Sequence, residues 1–320
     1  MRKKLIRSLL VLVISATTIS AYAQPAIPRK YVEHPGWAIG VNFGLADLWG
    51  DVGTQGMIDH YANDKYWTKP HFMGGLLMRY TAHPSLGIRL NVNYGTLYAT
   101  DEWNLSKAKT AKSIEDDAYQ RYLRNQDVRA NIWEGSFMIE LLPMRFNSES
   151  NMAQKSMQIY ATAGVGAFHF RPQTSLIHPI TGRKEWVWTK ELRLEGEGIE
   201  GSGAVASSLW QMCVPLGLGI RWDIGDNMGL GVEYLYRFTT TDRLDNVSSV
   251  YLTPDYFDRY LDADDAAIAK RVYDKSWYID PTYKNEPGSP RGNKEVLDGY
   301  STFSIMFIYK FTSNKIPWWY

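Results

Sequence analysis

The chain contains a single cysteine, Cys213, so no intramolecular disulfide framework is open to it. Its 35 lysines and arginines balance 34 aspartates and glutamates, and a formal charge of +1 gives no electrostatic case for nucleic acid as a partner. From Gln24 onward there is no run of roughly 18 apolar residues, which excludes a spanning helix. Catalytic signatures are missing too. The six histidines, His34, His60, His71, His83, His169 and His178, never form an H-x-x-x-H pair. There is no G-x-S-x-G elbow and no phosphate-cradling loop, so no enzyme, cofactor or metal site is expected. Cys213 falls within an apparent strand and reads as a small packed residue.

What is present begins with an export signal. Arg2, Lys3, Lys4 and Arg7 precede an apolar stretch, and Ala21-Tyr22-Ala23 is a small-x-small cleavage site, so residues 1–23 read as a secretory signal peptide. The remaining chain is rich in aromatics, 14% in all with 12 tryptophans, and holds 26 glycines. A chain that is exported, has no spanning helix and carries this aromatic load suits a β-barrel with interfacial girdles.

The strand pattern supports that class. In Trp37 to Trp49, the residues Trp37, Ile39, Val41, Phe43 and Leu45 alternate with Ala38, Gly40, Asn42 and Gly44. The alternation recurs in six clear segments: 72–80, 86–94, 131–145, 210–224, 228–238 and 303–311. Residues 157–170 also read as a strand, but small residues on both sides leave its facing open. Eight strands predict an all-β, eight-stranded antiparallel transmembrane barrel spanning residues 36–311, with a periplasmic segment at 24–35 and a periplasmic tail at 312–320. The connections sort into three short turns and four long loops, 47–70, 101–127, 171–206 and 241–298, as expected of periplasmic turns opposite outer loops. Pro143 and Pro215 fall inside strands; the first is near an end and the second predicts a bulge.

Arg79, Arg89, Glu134, Glu140, Arg221, Glu233 and Arg237 all fall on polar faces. A lumen of eight strands is filled by side chains, so these charges predict an ion-paired interior; the alternative is a small conducting pore. In the loops, Ser113-Ile-Glu-Asp116 resembles a capping box opening a helix to about Arg124, and Asp264 to Asp274 reads as another helix. Asp242, Asp245 and Asp255 could chelate calcium, but their spacing fits no calcium loop and solvated turns suit them better. Asn246-Val-Ser248 is a formal glycosylation sequon of little weight in an exported bacterial protein.

Several segments resemble one family. They are Gly44-Leu-Ala-Asp-Leu-Trp-Gly-Asp51, Arg79-Tyr-Thr-Ala-His-Pro84, Glu195-Gly-Glu-Gly-Ile-Glu-Gly201, Arg237 to Tyr251, Arg291-Gly292 and Asp298-Gly-Tyr300. Together they look like the PorG-like outer-membrane proteins of the Bacteroidetes type IX secretion system, over nearly the whole chain. A departure is Asp242-Arg-Leu-Asp-Asn246, where an aromatic and a second aspartate are more usual. The resemblance implies a non-enzymatic barrel in outer-membrane lipid, tethering a periplasmic ring built of PorK-like and PorN-like proteins. With that topology, the candidate partner contacts are Pro84, Glu149, Asp226, Trp318, Trp319 and Tyr320. The aromatic tail is equally readable as an interfacial anchor or as a docking element.

Overall fold

The computed structural model describes residues 36–54, 60, 66–147, 156–178, 181–200, 202, 204–224 and 227–311. The strands are β1 (Gly36–Trp49), β2 (His71–His83), β3 (Leu86–Thr100), β4 (Asp127–Leu141), β5 (Met157–Ile177), β6 (Lys184–Trp188), β7 (Trp210–Ile224), β8 (Met228–Thr239) and β9 (Gly299–Lys310). All neighbours are antiparallel, β1 pairs with both β2 and β9, and β4 pairs with β5. The sheet therefore closes into an eight-stranded ring, to which β6 adds a short ninth strand beside the outer end of β5. Closure leaves none of the eight ring strands with an unpaired side inside an apolar phase, which is what a spanning sheet requires.

The period-two pattern dictates which face meets lipid. Trp37, Ile39, Val41 and Phe43 on β1 are each about half exposed, whereas Ala38 between them is 3% exposed. Met212, Val214, Leu216 and Leu218 on β7 repeat the arrangement around buried Cys213. A belt of this size left facing water would be untenable in a soluble protein. Trp210 and Trp222 cap the β7 portion, roughly 40 Å apart along the strand, which a tilt of about 40° brings to the roughly 30 Å of a hydrocarbon core. Where strands approach most closely the chain uses glycine: a Cβ on Gly44 would lie 2.1 Å from the Phe303 carbonyl oxygen.

Several local expectations are corrected. β4 ends at Leu141, and Pro143 opens a 3₁₀ turn instead of lying in the strand. Pro215 makes no bulge. The register of β7 against β5 is the same on both sides of it, Ala163↔Leu216 and Gly166↔Cys213, and the ladder omits only the pairs between. β5 faces Gln158, Tyr160, Thr162, Phe168 and Phe170 inward, resolving its ambiguity. It also runs to Ile177 and turns back as β6, so the third outer connection begins as a hairpin and not as a loop from residue 171.

Helix α1 (Asp117–Arg124) is capped by Asp116, whose carboxylate accepts from the Ala118 and Tyr119 amides; Ser113 serves only a turn ahead of it. Helices α2 (Asp255–Tyr260) and α3 (Ala263–Val272) lie in the fourth outer loop, α3 capped by Asp262.

Candidate functional site

The polar faces of the strands meet inside the barrel. Arg79, Arg89, Glu134, Glu140, Arg221, Glu233 and Arg237 are each under 5% exposed. They form two groups. Toward the turn side, Glu140 faces Arg79 Nε at 2.9 Å, Arg89 Nη1 at 3.0 Å and Arg221 Nη1 at 4.0 Å. Arg89 also donates to both oxygens of Glu233, at 3.0 and 2.8 Å, and the Tyr160 hydroxyl donates to the same carboxylate at 2.9 Å. Nearer mid-barrel, Glu134 accepts from Arg237 Nε at 2.9 Å, Tyr300 at 2.8 Å, Ser136 at 3.1 Å and Asn93 at 3.2 Å. Arg237 lies over the Tyr300 ring at 5.1 Å.

Sequence reasoning missed the members that complete this interior. Asp223 binds Arg145 at 2.9 Å and Lys310 at 2.6 Å at the turn end. Lys310 and Tyr300 share the inward parity of β9, so their facing was readable; Arg145 lies beyond its strand, where parity says nothing. Such charges are tolerable in a dry interior only when multiply paired. Pro84 sits half-buried in the β2–β3 turn. Glu149, Asp226, Trp318, Trp319 and Tyr320 lie outside the described residues, as do the segments 1–23 and 24–35.

On the opposite side the long connections pack into a cap. Leu48, Val52, Trp103, Leu244, Val247 and Tyr300 share one buried cluster at the barrel mouth. Leu176, Leu192, Tyr251, Phe257, Ala269 and Val272 form a second, between the third and fourth loops. Polar ties cross the loops. Buried Asp101 holds Arg124 through two contacts of 2.8 Å and accepts from the Gly53 and Gln126 amides. Buried Glu195 accepts from the Ser248 and Ser249 amides at 2.8 and 3.0 Å and from Arg291 at 2.7 Å. Asp127, at the head of β4, binds Lys275 at 2.6 Å and Lys184 at 2.5 Å.

Asp242, Asp245 and Asp255 do not converge. Asp242 accepts from Ser248 Oγ, Asp245 from the Val52 and Val247 amides, and Asp255 opens α2. Among the described residues no group of three or more His, Cys, Asp or Glu is placed to hold a metal ion. His60 is fully engaged, its ring nitrogens 2.8 Å from Asp47 and from the Thr54 carbonyl, stacked on Trp49.

Asp245 and Asp298 do converge. A Cβ on Gly50 would lie 2.5 Å from an Asp245 oxygen and 2.7 Å from an Asp298 oxygen, so both carboxyls point at one spot. Burial, then repulsion from Asp51, pushes Asp245 up to about 7. Burial and the Asp245 charge push Asp298 well above the carboxylate range. Because the folded values exceed the unfolded ones, the stability these groups contribute is full below the ordinary carboxylate range and is lost as pH rises through about 7. Hydrogen exchange of residues 240–298, corrected for intrinsic rates, should therefore quicken between pH 5 and pH 8. Asp298→Asn keeps an acceptor for the Leu244 amide and should shrink that change to the share Asp245 contributes through burial and Asp51; exchange that slows over this range in the parent protein would contradict the assignment.

No family model and no curated protein matches this chain. Among solved structures it is similar to Ail, the attachment invasion locus protein of Yersinia pestis, at 10% identity and TM-score 0.34, covering 86% of this chain and 99% of that one. It is also similar to Neisserial surface protein A, at 10% identity and TM-score 0.35, covering 87% and 100%. For OprG from Pseudomonas aeruginosa the figures are 10% and 0.32, covering 88% and 98%. The barrel described above rests on the chain's own pairing and burial.

Proposed function

We propose that this chain is a non-enzymatic outer-membrane component of a type IX protein secretion machinery, a rigid barrel tethering the periplasmic ring. The observation that carries the reading is where the family-like segments other than Arg79–Pro84 meet. Asp51 accepts from the Asn293 amide beside Arg291-Gly292, and Asp245 accepts from Val52 just past the Gly44–Asp51 segment. Asp298 accepts from Leu244 within the 237–251 segment, and Glu195 binds Arg291. Segments scattered over the sequence thus join at the base of the cap, and they fix the outer loops to a filled barrel. A scaffold needs that rigidity; a pore needs an open lumen instead.

The ring contacts proposed are the Pro84 turn, on the side of the short connections, together with Glu149, Asp226, Trp318, Trp319 and Tyr320. Affinity purification of a tagged copy from its own membranes should recover the ring lipoprotein and its periplasmic partner, and deletion should abolish cargo secretion. Recovery of the barrel alone, with secretion intact after deletion, would remove this reading. A second reading, a general outer-membrane barrel that binds through its outer loops, is favoured by the cleft in the cap.

A further inference from the structure

The cap contains a cleft of about 530 Å³ between the first, second and fourth outer loops. Its walls include Trp49, Tyr236, Arg121, Arg124, Arg291 and Asp298. Each arginine there is already engaged: Arg121 with Asp117 at 3.0 Å, Arg124 with Asp101 at 2.8 Å, and Arg291 with Glu195 at 2.7 Å. Asp51, Asp245 and Asp298 are different. Their carboxylates accept from backbone amides, and among the described residues none makes a salt bridge; Arg121 and Arg124 lie beside Asp51 but donate to its main-chain carbonyl. Asp51 and Asp298 line the cleft directly.

A second observation is independent of the acids. Tyr251, 2% exposed and also in the cleft wall, has a buried hydroxyl with no hydrogen-bond partner among the described residues. Native interiors rarely leave such a group orphaned without a use for it. The lip carries Val296 and Leu297, at 61% and 56% exposed, beyond what a purely hydrophilic loop tip needs.

We propose that this cleft binds a cationic side chain, a guanidinium or ammonium group presented by a peptide segment. Asp51 supplies the counter-charge, Asp298 adds to it by releasing its proton to solvent as the cation enters, and Trp49 and Tyr236 form the aromatic walls that favour a cation. The volume is within the range of organic-ligand sites and many times the roughly 30 Å³ share of one water, which argues against a bare ion. The absence of a three-ligand metal group among the described residues points the same way. The raised values of Asp245 and Asp298 fit acids waiting for positive charge. The proposal rests on the cap alone and stands whether or not the secretion reading does.

The test uses the whole protein in nanodiscs and a fluorescent five-residue peptide, acetyl-Gly-Ser-Arg-Ser-Gly-amide, with a twin carrying citrulline in place of arginine. The arginine peptide should bind about tenfold more tightly, the worth of one partly buried charge contact. Asp51→Asn and Asp298→Asn should each erase most of that preference, while Asp264→Asn on the exposed start of α3 should not. Both cleft variants keep an oxygen for the amide they serve and relieve repulsion, so the cap survives them. Equal binding of the two peptides, or no binding of either at millimolar concentration, overturns the proposal. So does calcium alone binding in a manner lost in the same variants, which would assign the acids to a metal.

Discussion

Replacing Glu140 with methionine should destabilise the barrel by about 3–5 kcal/mol, the cost of removing one partner from a buried ion cluster. Glu140 is the shared counter-charge of Arg79, Arg89 and Arg221, all under 3% exposed. Its loss leaves three guanidinium groups in a lumen with no room to turn toward water. Arg89 keeps Glu233 and Arg221 keeps Asp223 at 3.6 Å, so the larger share of the burden falls on Arg79. The double variant Arg79→Met with Glu140→Met should therefore cost less than Glu140→Met alone, because it removes a buried charge together with the carboxylate that faces it at 2.9 Å. Urea unfolding in vesicles, followed by tryptophan fluorescence, measures both. Additive losses would show that the lumen is wet enough to solvate Arg79 and is not a dry, paired interior.

The second large effect concerns the cap and should leave the barrel untouched. Glu195→Ala removes the acceptor for two amides, the Ser249 hydroxyl and Arg291 at once. Arg291, 2% exposed, retains only the carbonyls of Tyr273 and Asn246. A loss of about 3–5 kcal/mol confined to the outer loops follows. Brief trypsin treatment of whole cells should cut residues 240–298 in the variant and spare the parent, while both keep the electrophoretic heat-shift of an intact barrel. If the variant's loops resist protease as the parent's do, the cap is held by its apolar clusters and the polar tie is incidental. If the barrel itself is lost, cap and barrel fold as one unit.

These two results bear on how much of the molecule the chain discloses before folding. The strands were legible because lipid demands apolar residues on every outward position, so Trp37, Ile39, Val41 and Phe43 or Met212, Val214 and Leu216 need no partner to be recognised. Facing on β5 was not legible, because Ala161, Ala163 and Ala167 outside and Gly164 and Gly166 between them carry almost no contrast. The interior charges were legible as a set from parity. Which carboxylate serves which arginine was not, since those choices arise only when the ring closes and β3 meets β8 across the lumen, as in Arg89 and Glu233.

The cap was the least legible part. Its ties join residues far apart, Asp51 to Asn293 and Glu195 to Arg291, and such contacts leave no periodic trace. Helix α1 announced itself by capping, though through Asp116 in place of the serine that pattern matching favoured, and α3 by its apolar residues Ala266, Ile268, Ala269 and Val272. The β5–β6 hairpin hid in a stretch whose Trp186 and Trp188 pack on Arg129 and Arg171, pairings visible only in three dimensions. The family-like segments in the outer half of the chain's fold meet at the cap base, whereas Arg79 to Pro84 lies at the β2–β3 turn on the other side.

The central claim is that the lumen is closed by its own ion pairs and the protein acts as a scaffold. Planar-bilayer recording of the purified protein tests it most directly. No steady current above the leak is expected at 100 mV in molar potassium chloride, with Glu140→Met permitting only brief, irregular openings. A stable, ohmic conductance from the parent protein would contradict it.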